Sequence, residues 1–95
     1  MTDNIRSRMT ALAVTFPTLE AAPGVEPWDP AALDAWASSP APGSGARHAA
    51  RFVLSVWDPR GEWKCGHLEL HAALQTWDAG HRAAWQAWAA DPWWP

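Results

Sequence analysis

Ninety-five residues with a net charge of −3 suffice for one hydrophobic core but not two, and one Lys with six scattered Arg offers no basic face for nucleic acid. Ile, Leu and Val number twelve, or fourteen with the two Phe, a share that on its own marks a disordered chain. Nine Trp reverse that reading, since each can bury roughly 150–250 Å² and so replace the missing aliphatics.

Twenty Ala stand against five Val and Ile, and Tyr is absent, so helix is favoured over strand throughout. The expected fold is all-α: a single-domain bundle of about five short helices over residues 1–95, with a Trp-rich core. The first helix follows Asp3 as N-cap and runs to about Thr15, with Ile5, Met9, Leu12, Ala13 and Phe16 within roughly a 100° arc. Pro17 stops it. From Pro17 to Pro27, three Pro and a Gly make a loop held by side-chain packing.

Trp28-Asp29-Pro30 reads as a helix start, with Asp29 as cap, Pro30 in the first turn and Trp28 able to staple onto Leu33. This helix carries Leu33 and Trp36 and ends near Ser38. The tract 38–45, rich in Pro, Gly and Ser, is a loop or hinge. Ser44 or Gly45 then opens the most apolar helix, about 46–56, whose apolar arc of roughly 200° leaves only Arg47, His48, Arg51 and Ser55 for water. A face that wide belongs to the central helix. Asp58-Pro59-Arg60-Gly61 suits a type I turn, so the chain reverses there.

After a connector over 62–68, a helix from about Glu69 to Trp77 presents Leu70, Ala73, Leu74 and Trp77. Asp78 caps the last helix, 79–90, with Ala84, Trp85, Trp88 and His81 in one arc. Asp91-Pro92 ends it, and Trp93-Trp94-Pro95 is expected to fold back over the bundle. The predicted core is Trp36, Phe52, Val53, Trp57, Leu70, Leu74, Trp77, Trp85 and Trp88. Trp-Asp occurs at 28, 57 and 77, but without the strands or spacing of a propeller repeat. Two of these pairs read as helix caps and one as a turn opening. The two closing helices could pass for a helix-turn-helix, yet only Arg82 and Gln86 would read bases. An ordinary helical hairpin fits better.

No run approaches the ~18 consecutive apolar residues of a membrane span, so no membrane partner is expected. A single Cys makes no internal disulfide and fits a reducing compartment, the cytoplasm. Arg6 and Arg8 ahead of an apolar run outline a signal peptide only faintly, because Asp3 and Thr interrupt the pattern.

Chemistry concentrates at Cys65, His67 and His71, which offer soft and borderline ligands for zinc, the one cofactor the composition suggests. The spacing lacks the paired Cys of common zinc sites. Cys65 and His67 are too close in sequence for a productive nucleophile–base pair, and no phosphate-cradling loop is present. His81 reads as a packed core histidine, and the local sequence shows no partner that would make it a base. No enzyme is therefore expected. Trp63, Trp93 and Trp94 fall outside the helices and are the candidate interaction residues. The expected function is a non-enzymatic protein–protein interaction or homo-oligomerising module. A zinc-binding protein using Cys65, His67 and His71 and an aromatic-lined small-ligand site are the alternatives.

Overall fold

Helix dominates the computed structural model, which describes the backbone of residues 2–95 and side chains from Asn4 onward. Among these residues are five α-helices and no strand: α1 (Thr2–Val14), α2 (Pro30–Ser38), α3 (Ser44–Trp57), α4 (Leu70–Thr76) and α5 (Ala79–Ala90), with a 3-10 turn over Pro17–Leu19. The first helix begins at Thr2, so the backbone of Asp3 lies within α1 rather than at the N-cap expected for it. No helix of the described residues is long and apolar enough to cross a membrane. The radius of gyration is 12.0 Å, close to the roughly 12 Å of one tightly folded domain of this length.

The three Trp-Asp pairs act as their sequence implies. Asp29 accepts from the Ala32 N–H at 3.3 Å and Asp78 from the His81 N–H at 3.0 Å, capping α2 and α5. Asp58 accepts from the Gly61 N–H through its carbonyl at 3.0 Å, which closes the turn. The central helix is α3, which packs against α1, α2, α4 and the 3-10 turn. It buries Ala49, Ala50, Phe52, Val53, Leu54 and Val56.

The core is Trp-rich, and its Trp are unevenly placed. Trp28 and Trp77 are buried within it, while Trp36, Trp57, Trp63, Trp85, Trp88 and Trp93 pack against it from the rim. The centre belongs to smaller side chains: Phe16, Met9, Leu19, Leu33, Leu54, Val25, Val53 and Val56 are the largest that lose essentially all exposure. An indole is large enough to reach from the surface to the core, so a small domain uses it as a wall.

Several expectations need correction. Ile5 is 43% exposed despite its phase, because it lies against Trp93 and Pro95 rather than over the core. Leu70 is half-buried at the first residue of α4 and stands outside the core cluster. His48 is buried, not solvated, since α3 is packed by neighbours on several sides and periodicity within one helix cannot reveal which of its faces they cover. The loop expected over 38–45 narrows to 39–43, as the flanking helices absorb its ends. It is also no free hinge. Arg47 Nε donates to the Ala37 carbonyl at 2.9 Å, and its Nη2 donates to those of Ser39 and Pro42 at 3.0 and 3.2 Å.

The connector between α3 and α4 is clamped in the same manner. Buried Asp34 of α2 accepts the N–H groups of Lys64 and Cys65, each at 2.9 Å. Arg51 of α3 donates from Nε to the Cys65 carbonyl at 2.6 Å. A segment without a ladder of its own thus has its backbone groups satisfied by side chains from two helices.

Candidate functional site

The closing segment folds back over the bundle. Trp88 Nε1 donates to the Trp93 carbonyl at 3.0 Å, which fixes the chain just after Pro92 breaks the helix. Trp93 then lies against the core with the Arg8 guanidinium 3.8 Å from its ring centroid, a distance at which cation and ring quadrupole attract strongly. Trp94 stands edge-on to Trp88 with centroids 5.2 Å apart and keeps 53% of its surface exposed.

Two depressions flank this stack. One, of about 290 Å³, runs between α1 and α5, with Leu12, Ala84, Trp88 and Trp93 among its walls. The other, of about 130 Å³, lies between Asn4, Ile5, Arg8, Trp93 and Pro95. The structure therefore brings Trp93 and Trp94 onto one face with α1. Trp63 lines neither depression. Its ring folds over Gly61, where an added Cβ would lie 2.8 Å from it, and its Nε1 is buried without a hydrogen-bond partner among the described residues.

Cys65, His67 and His71 lie in a different setting. Cys65 is buried, while His67 and His71 are exposed. Burial, followed by the Asp34 carboxylate, pushes the Cys65 thiol up to about 12, so it is a protonated group rather than a ready thiolate. Among the described residues, no three His, Cys, Asp or Glu come together in a group that could hold a metal ion.

His81 has the partners that its sequence neighbourhood hides. Its Nδ1 lies 2.8 Å from Asp78 Oδ1, and its Nε2 lies 2.8 Å from the Thr18 hydroxyl. The ring is buried between Phe16 and Trp77, with centroids at 6.1 and 6.4 Å, and is nearly parallel to the Trp77 ring at 22°. The Asp78 carboxyl is held below its ordinary value by the hydrogen bonds it accepts from the His81 backbone and ring. Thr18 sits at the surface in the 3-10 turn. It lines a groove of about 510 Å³ with Pro17, Glu20, Ala22, Pro23 and Trp36.

A carboxylate three residues before the histidine is legible in the sequence as a cap. Thr18, sixty-three positions away, is not, because only the packing of α5 against the 3-10 turn joins them. No protein-family model, curated protein or solved structure matches this chain.

Proposed function

We propose that this chain is a protein–protein interaction module that self-associates through the face formed by Ile5, Arg8, Trp88, Trp93 and Trp94. The observation that carries the reading is Trp94, an indole left 53% exposed beside an apolar groove. A two-fold contact requires a patch that is complementary to itself. A projecting indole and a receiving groove on one face supply both halves.

Trp and Arg are the residues in which binding hot spots are enriched, and Arg8 already stacks on Trp93, so little side-chain ordering remains to be done on association. A net charge of −3 imposes only mild repulsion between copies. The same contact favours self-association over capture of a cationic small ligand, because Arg8 occupies the Trp93 ring face that such a ligand would use. The buried, protonated Cys65 suits a reducing compartment, and the cytoplasm is the setting assigned.

Sedimentation velocity across a concentration series tests this. The expected result is a monomer–dimer equilibrium in the micromolar range, with Trp94→Ala raising the dissociation constant at least about tenfold while leaving the melting temperature unchanged. A wild-type chain that stays monomeric into the millimolar range would overturn the proposal.

A further inference from the structure

We propose that Thr18, His81 and Asp78 form a hydroxyl-nucleophile site that hydrolyses small, neutral acyl esters bound in the groove beside Trp36. An activated hydroxyl needs a base within about 2.6–3.2 Å and a third group that orients the base. The two links, Thr18 Oγ1 to His81 Nε2 and His81 Nδ1 to Asp78 Oδ1, are both 2.8 Å.

The Asp78 carboxylate only accepts, so Nδ1 is the nitrogen that donates to it, and the tautomer that serves as a base has its proton there. Nε2 then carries the lone pair and accepts from the Thr18 hydroxyl. Phe16 and Trp77 fix the plane of the ring. The base is 4% exposed, while the nucleophile stands at the surface and opens onto the groove. This division holds the imidazole in the fold and leaves the hydroxyl, 2.8 Å from Nε2, reachable.

The groove selects the substrate. Pro17, Ala22, Pro23 and Trp36 provide apolar walls for a short acyl group, and Glu20 repels an anionic one. In the reaction, Thr18 Oγ bonds to the ester carbonyl carbon as its proton passes to His81 Nε2. The bond from that carbon to the leaving oxygen then breaks, and the departing alcohol takes the proton from Nε2. Water attacks the acyl-Thr18 ester, giving up a proton to Nε2. The carboxylic acid leaves, and the proton on Nε2 returns to Thr18 Oγ. One ester and one water become one acid and one alcohol. Thr18 and His81 are the catalytic residues, and Asp78 is a positioning residue that holds the ring and stabilises its transient positive charge.

The test is hydrolysis of 4-nitrophenyl acetate by the full chain, with acid-quenched samples mapped by mass spectrometry. Thr18→Val keeps the shape of an exposed side chain, leaves the circular dichroism spectrum unchanged, and is expected to lower the rate at least about a hundredfold. Thr18→Ser is expected to restore it, and the quenched wild type to carry its acetyl group on Thr18. Asp78→Asn retains a capping side chain and is expected to lower kcat with KM unchanged and the circular dichroism spectrum intact, which separates a positioning role from loss of structure. A wild-type rate equal to that of Thr18→Val, or an acetyl group on any other residue, would overturn the proposal. The site lies apart from the Trp93–Trp94 face. Thr18→Val therefore leaves sedimentation unchanged and Trp94→Ala leaves hydrolysis unchanged, so the two proposals fail separately.

Discussion

His48 carries an acid sensitivity into the middle of the fold. Its ring is buried on α3 with Nδ1 unpartnered among the described residues. Burial first, and the Arg51 charge second, hold its proton affinity below the ordinary 6.5, with Glu69 opposing and Arg47 reinforcing the shift. The unfolded chain therefore binds a proton near pH 6.5 that the folded chain resists, so the unfolded state gains protons first as pH falls. Stability is expected to decline from about pH 6.5 downward. Asp78, whose carboxyl is held below 3.8, adds its own loss only as the solution becomes strongly acidic. Urea unfolding of wild type and His48→Leu at pH 7 and pH 5 checks this, since the variant is expected to lose the difference between those two values. An equal decline in both would assign it elsewhere. The sequence places His48 beside Arg47 and Arg51, which reads as a solvated strip. Its burial is set by the elements packed around α3, which the helix's own periodicity does not report.

Among the elements, helix boundaries were the most legible part of the chain because they are set locally. Asp29 with Pro30, and Asp78 ahead of Ala79, carry the chemistry of a helix start within one turn, and both caps form. The connectors were not legible in this way. Nothing local marks Asp34 as the acceptor for Lys64 and Cys65, nor Arg47 as the collector of three carbonyls, since these bonds exist only once α2 and α3 are side by side. Gly24 shows how tightly the irregular segment before α2 is built. It has φ +83°, and a Cβ there would lie 2.4 Å from the Asp29 carbonyl oxygen and 2.5 Å from the Leu33 nitrogen. Gly24→Ala is therefore expected to destabilise the fold by at least about 2 kcal/mol. Gly43→Ala is the control, because nothing lies within 4 Å of its added Cβ, and its effect is expected to stay within about 0.5 kcal/mol. Chemical denaturation of the two variants side by side measures the contrast.

The whole molecule follows from a shortage of aliphatic side chains met by Trp. A chain of this mass exposes 5462 Å² when folded, near the roughly 5,400 Å² typical of one domain, so its indoles cannot all reach the interior. Helical phase correctly directed Trp77 inward and Trp36, Trp57, Trp85 and Trp88 toward the core. It carried no information on the residues beyond Pro92, whose position depends on the Trp88 hydrogen bond and the Arg8 stack. The three Trp singled out as candidate interaction residues consequently divide. Trp63 folds onto its own turn, Trp93 walls the groove between α1 and α5, and Trp94 is left facing outward. This last indole is the proposed contact surface. Proton–nitrogen correlation spectra of the nine indole N–H groups, recorded at low and high protein concentration, test it most directly. The Trp94 signal is expected to shift with concentration, followed by those of Trp93 and Trp88, while the buried Trp28 and Trp63 signals stay fixed. If Trp94 stays fixed across the whole range, or if the shifts fall on Trp28 and Trp63 instead, the claim is contradicted.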